Sequence, residues 1–315
     1  MTKPVLLIAQ PILAPLTGVL AEDYELVRLW EHPDLAAFLA GEGQRIEAIV
    51  AAGEGPLGPD LLGGLPRLRL IACVSAGYDG VDVGWCAGRG IAVTHSPGVN
   101  AEDVADHAVG AAICAWRGIA EGHKRVREGR WTESDRGPMR PSLRGRKVGI
   151  VGLGGIGAAI ATRMAAFGCP IAWWGPNPKP DAAWPMAESL MALAKASDLL
   201  FVALRAGPES RRLVNRGVIE AVGSRGLICN VSRGFVIDQD ALISALKDGR
   251  LGYAALDVFD PEPTTAETWA GVPNLVLTPH TAGATLESVP AMVAMMRENL
   301  RRHFAGEPLA TPVRV

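Results

Sequence analysis

Three short segments each place a chemically capable side chain just after an apolar run: Asn230-Val231-Ser232-Arg233-Gly234, Asp257-Val258-Phe259-Asp260-Pro261-Glu262-Pro263 and Thr278-Pro279-His280-Thr281-Ala282-Gly283. Singly, an arginine after a strand is usually a solvated charge, a glutamate between prolines is often a loop acid, and a histidine at a strand end is more often structural. Together the three supply what reduction of a carbonyl needs. Hydride arriving on the carbonyl carbon leaves negative charge on oxygen, so a proton donor titrating near neutrality should face it, and the imidazole of His280 meets that requirement. A carboxylate on the far ring nitrogen fixes the tautomer and keeps the ring protonated until transfer, the part expected of Glu262. A guanidinium grips a carboxylate through two N–H groups and polarises the neighbouring keto oxygen, which suits Arg233 better than a lysine point charge. The substrate so implied is a small 2-keto acid.

Hydride needs a carrier. Gly152-Leu153-Gly154-Gly155-Ile156-Gly157 is a GxGxxG that follows the apolar run 147–151 and precedes a helical pattern over 158–167, ended by Gly168. That context makes an otherwise common glycine pattern specific for a dinucleotide. The first glycine permits a tight turn, the second lets backbone approach a pyrophosphate, and the third lets helix pack closely on strand. An NAD site usually places Asp or Glu about 20 residues further on, against the ribose 2′-hydroxyl. Here the chain reads Trp173-Trp174-Gly175-Pro176-Asn177-Pro178-Lys179-Pro180, with no carboxylate before Asp181. Without that acid a 2′-phosphate is not repelled, and Asn177 and Lys179 offer it hydrogen bonds and charge. NADP(H) is therefore preferred over NAD(H).

The elements that must position these groups are legible in the hydropathy. Apolar runs recur at 5–9, 48–51, 70–73, 91–94, 147–151, 170–174, 199–202, 227–230, 254–257 and 275–277, without the alternation of a half-exposed strand. Such runs suit parallel strands buried on both faces, and helical patterns at 158–167, 189–196 and 240–246 lie between them, giving an α/β protein with doubly wound sheets. A long helical stretch over 101–127, with Asn100 as N-cap and Asp103 at the third position, divides the strands into two groups. A last helix over 288–304 is placed to return to the first domain. At 315 residues two domains are the default. Lys+Arg 31 against Asp+Glu 33 gives a net charge of −2, which points away from nucleic acid and anionic membranes. The run at 5–9 is too short for a secretory leader, and no uninterrupted apolar stretch is long enough for a span. Cys73, Cys86, Cys114, Cys169 and Cys229 form no CxxC pair, so reduced thiols, no metal site and a cytoplasmic location are expected.

These ordered motifs, with Ala255-Leu256-Asp257-Val258-Phe259 leading to Glu262-Pro263, resemble the D-isomer-specific 2-hydroxyacid dehydrogenases over most of the chain. Within that family the chain is most similar to the glyoxylate/hydroxypyruvate reductases and their 2-ketogluconate-reducing relatives. The resemblance implies a Rossmann nucleotide-binding domain at 100–285 and a discontinuous, flavodoxin-like substrate domain at 1–99 and 286–315, in a homodimer. It implies the same roles for Arg233, Glu262 and His280. It also implies that Val74, Ser75, Ala76 and Gly77 lend backbone amides to the substrate carboxylate. Cofactor contacts are implied at Gly152, Gly154, Gly155, Ile156, Gly157, Trp174, Gly175, Pro176, Asn177, Lys179, Leu204, Arg205, Pro208, Val231, Ser232, Arg233, Asp257, His280, Ala282 and Gly283. The segment Leu204-Arg205-Ala206-Gly207-Pro208 departs from the usual Pro- and Thr-containing loop, and Tyr78, Trp131 and Met139 are pocket candidates by position. The glutamate at 262 argues against the formate dehydrogenases, which carry glutamine there. Phosphoglycerate dehydrogenases and dinucleotide-sensing corepressors are the alternatives inside the family.

Overall fold

The computed structural model describes residues 3–314; residues 1, 2 and 315, including the very start read above for a leader, lie outside the description. The chain forms two compact units, Met1–Val99 with Leu286–Val315, and Asn100–Thr285.

The first unit is built on five strands, β1 (Val5–Ile8), β2 (Glu25–Arg28), β3 (Ala48–Ala51), β4 (Leu70–Cys73) and β5 (Ala92–Thr94), all parallel in the order β2-β1-β3-β4-β5. That is the flavodoxin-like order. Every residue of β1, β3 and β4 is buried, which is why these strands read as unbroken apolar runs. Successive side chains go to opposite faces: Leu7, Ile49 and Ile71 join one core, while Leu6, Ile8, Val50 and Leu70 join the other. The second core is closed by Met292, Met296 and Leu300 of the helix Ser288–Ala305, so the end of the chain completes the unit with which it began. β2 was not anticipated. It is an edge strand whose Glu25 is exposed and whose only buried residue is Val27, so it leaves no apolar run to find.

The second unit holds β6 (Val148–Val151), β7 (Ile171–Trp174), β8 (Leu199–Val202), β9 (Leu227–Asn230), β10 (Tyr253–Leu256) and β11 (Leu275–Leu277), parallel in the order β11-β10-β9-β8-β6-β7. Beyond β7, Met186 makes a single parallel bridge to Trp173, with bonds Trp173 N to Pro185 O and Ala187 N to Trp173 O. Counting that remnant as a strand restores the usual Rossmann order, whose reversal between β6 and β8 is where such sheets hold ligands. Leu199 and Phe201 face the layer that includes Trp116 and Ile160, whereas Leu200 and Val202 face the layer of Leu193, Ile219 and Leu242.

The single helix expected over 101–127 is two helices, Ala101–Arg117 and Ile119–Arg127, because Gly118 adopts a left-handed conformation (φ 64°) that caps the first. Asn100 holds the N-cap position without a side-chain cap bond, its amide instead lying where a Cβ on Gly283 would be. Among the described residues no helix is long and apolar enough to cross a membrane.

Candidate active site

The glycine loop follows from its neighbours. Gly152 leaves β6 at φ 94°, a left-handed conformation that favours glycine, and a Cβ there would strike the backbone of Leu204. A Cβ on Gly157 would collide with the Gly152 carbonyl, so the helix Gly155–Ala166 sits against its strand only because position 157 is bare. Around Gly154, by contrast, nothing lies within 4 Å of where a Cβ would stand. Two glycines are thus required by packing and one faces open space at a helix N-terminus, which is the cradle that fits a dinucleotide pyrophosphate. The helix begins at Gly155, three residues before its sequence-based start, so Ile156 and Gly157 lie in its first turn.

The β7 end closes on this loop through Gly152 N to Trp174 O at 2.8 Å. Gly175 packs beneath the Trp173 ring, and the exposed turn of Pro176, Asn177 and Lys179 returns toward the loop, where the Lys179 ammonium donates to Leu153 O at 2.5 Å. A cation is therefore held at the glycine loop itself. Leu204 stands directly behind Gly152, and its carbonyl accepts from the Ser232 hydroxyl at 2.7 Å. Arg205 and Pro208 are exposed beyond it.

Arg233 leaves β9 through Val231 and Ser232, both buried. Buried Asn230 fixes this corner, its amide donating to Arg233 O at 2.9 Å and its oxygen accepting from Ser232 N at 3.0 Å. A Cβ on Gly234 would overlap the Phe259 backbone, so Gly234 brings the Arg233 corner against the segment that carries Glu262. Glu262 Oε1 accepts from Phe259 N at 2.9 Å, and Oε2 lies 2.7 Å from His280 Nδ1. Half-burial raises the Glu262 carboxyl, but hydrogen bonds from His280 and the Phe259 amide, with the charges of His280 and Arg233, outweigh it and take the group below its ordinary value.

His280 has φ 54°, a conformation uncommon for residues other than glycine. It is held by His280 N to Asp257 O at 2.8 Å and by the Asp257 carboxylate, which accepts from Thr281 N at 3.0 Å and Ala282 N at 2.9 Å. Asp257, implied above as a cofactor contact, therefore has both oxygens committed to the His280 loop. Ala282 is buried, and the Asn100 amide packs against Gly283 where a Cβ would stand. Sequence reasoning missed Asn230 and Asp257 as supports; the only signal was a polar residue closing each apolar run.

In the first unit, the loop after β4 is tied down by Ser75, whose hydroxyl accepts from Gly53 N at 2.8 Å and donates to Gly77 O at 2.8 Å. Val74 N bonds Ala51 O, and His95 Nδ1 lies 2.9 Å from Ala76 O with its ring edge-on to Tyr78. Among the described residues, the Ala76 and Gly77 amides donate no hydrogen bond. Trp131 and Met139 are exposed on the second unit, Met139 fully, and neither joins a core.

A Rossmann sheet, a glycine cradle at its first crossover and a paired His and Glu at the ends of later strands define a dinucleotide-dependent oxidoreductase. Residues 109–282 match the family described as D-isomer specific 2-hydroxyacid dehydrogenase, NAD binding domain, and the chain belongs to that family. It is 39% identical over 303 residues, 96% of each chain, to hydroxyphenylpyruvate reductase of Plectranthus scutellarioides. The structure of a 2-hydroxyacid dehydrogenase from Ketogulonicigenium vulgare Y25 is similar with a TM-score of 0.91 and 42% identity, covering 100% of this chain and 99% of that one. An NADPH-dependent glyoxylate/hydroxypyruvate reductase from Sinorhizobium meliloti, in complex with NADP and malonate, superposes with a TM-score of 0.92 at 36% identity, covering 99% and 97%.

Proposed function

We propose that this chain reduces a small 2-keto acid, such as glyoxylate or hydroxypyruvate, to the D-2-hydroxy acid, with NADPH preferred over NADH. The observation that carries the reading is the His280 ring paired with Glu262 at 2.7 Å on a left-handed backbone, in the same unit as Arg233 and the glycine cradle. The bound nicotinamide supplies the hydride. Arg233 anchors the carboxylate and polarises the keto oxygen. With Nδ1 engaged by Glu262, His280 delivers its proton from Nε2 to that oxygen, and Glu262 stabilises the charged ring until transfer. The unpartnered amides of Ala76 and Gly77 support a carboxylate-binding role for the Val74, Ser75, Ala76 and Gly77 loop.

The cofactor preference rests on Lys179 at the glycine loop and on the missing acid between Gly175 and Pro180, and the NADPH-dependent relative supports it. The test is kcat/KM for glyoxylate, hydroxypyruvate and a wider keto-acid panel with each reductant. Higher kcat/KM with NADPH is expected, and Lys179→Ala should lower it about tenfold while leaving NADH nearly unchanged. A clear NADH preference contradicts the cofactor reading. Tight dinucleotide binding without turnover of any 2-keto acid contradicts the reaction and favours a sensor.

A cytoplasmic homodimer completes the proposal. Exposed Ile119, Val126 and Met139 support cover by a second copy, and free thiols suit a reducing compartment. Sedimentation at about twice 33.1 kDa is expected, and a monomer at micromolar concentration contradicts it.

A further inference from the structure

The His280 loop hangs on Asp257, which is 3% exposed. Each of its oxygens accepts a backbone N–H, Thr281 N on Oδ1 and Ala282 N on Oδ2, so the group is suited to its ionised, acceptor-only form. A buried carboxylate of this kind needs a full set of donors around it. The Thr278 hydroxyl is a third, donating to Oδ1 at 2.5 Å. Behind it stands a residue the reduction chemistry does not require: His107, on the helix Ala101–Arg117, with Nε2 2.9 Å from Thr278 Oγ1 and 3.5 Å from Asp257 Oδ1.

A hydroxyl has one proton to give. Because that of Thr278 goes to Asp257, its oxygen must accept from His107, and Nε2 is the protonated ring nitrogen. We propose that His107 is a positioning residue for the reductive reaction: its Nε2–H orients the Thr278 hydroxyl and completes the donor set that lets Asp257 hold His280 in its left-handed conformation. The inference rests on the reading of His280 as proton donor. His107 reaches no substrate or cofactor in this account and acts only through the loop. A proton donor displaced by about an ångström costs about a hundredfold in rate, so a support this close to the loop is felt in turnover before it is felt in folding.

The test compares His107→Gln, His107→Asn, His107→Leu and Thr278→Val with wild type, using NADPH and the keto acid wild type reduces fastest. The glutamine Nε2 stands as many bonds from Cβ as the histidine Nε2 and restores the donor, whereas asparagine reaches only the Nδ1 position. We expect kcat to fall ~10- to 100-fold in the Asn, Leu and Val variants, with NADPH KM close to wild type and Tm lowered by a few degrees in Thr278→Val, and to recover to within about threefold in the Gln variant. The double variant His107→Leu/Thr278→Val should lose no more than the larger single loss. Ring ¹⁵N spectra read the hydrogen bond independently of turnover and should show Nε2 of His107 protonated. Wild-type kcat in His107→Leu, a glutamine variant as slow as the leucine one, or an unprotonated Nε2 overturns the proposal while the keto-acid reaction stands. A wild type that reduces no 2-keto acid overturns the reaction itself, and this inference with it.

Discussion

Glu262 is pulled in two directions by its surroundings. Its half-burial favours the neutral acid, while the His280 ring, the Phe259 amide and the Arg233 charge favour the carboxylate and prevail, so the folded-state value lies below the usual 4.5. A depressed acid contributes stability that is fully present above its unfolded value and is lost as pH falls through the folded one. Glu262→Gln should therefore be less stable than wild type at neutral pH, and the difference should shrink below about pH 4.5 as wild type loses the same contribution. Urea unfolding of both proteins at pH 7, 5 and 3.5 checks this; a gap that stays constant or widens toward acid contradicts the assignment. Arg233, Glu262 and His280, the proposed catalytic groups, stand out in the sequence because each follows an apolar run closely and the three chemistries fit one reaction. His107 could not. Its partner Thr278 is 171 positions away, and only the docking of one helix on the sheet brings the two within 2.9 Å.

At the scale of elements, the strand-loop-helix unit from β6 to Ala166 separates two uses of glycine that a motif merges. Position 157 is bare for packing, position 154 for approach. Gly154→Ala should fold with a Tm near wild type yet bind NADPH about tenfold or more weakly, since its methyl enters the open space. Gly157→Ala should lose binding and about 1–3 kcal/mol of stability as the helix is pushed off its strand. Thermal melts beside fluorescence titration distinguish them, and equal Tm losses would refute the division of roles. Strands buried on both faces were legible because burial leaves only apolar residues at those positions. The edge strand β2 was not, since an edge needs one buried side chain and tolerates charge elsewhere. Nor was the break at Gly118, because the apolar positions run on past it and the left-handed turn depends on backbone geometry alone.

In the whole molecule, two parallel sheets are made from one chain whose last helix returns to the first unit. In the first unit, burial pushes the Cys73 thiol up to about 12 and the Cys86 thiol up to about 11. Burial holds those thiols in their unreactive protonated form. The proposed proton transfer belongs to the His280 loop, and the most direct measurement is the turnover of His280→Ala with NADPH and the preferred 2-keto acid, alongside NADPH affinity by fluorescence. A kcat lower by about 10²-fold or more is expected, with cofactor binding intact. Turnover within a fewfold of wild type would contradict it.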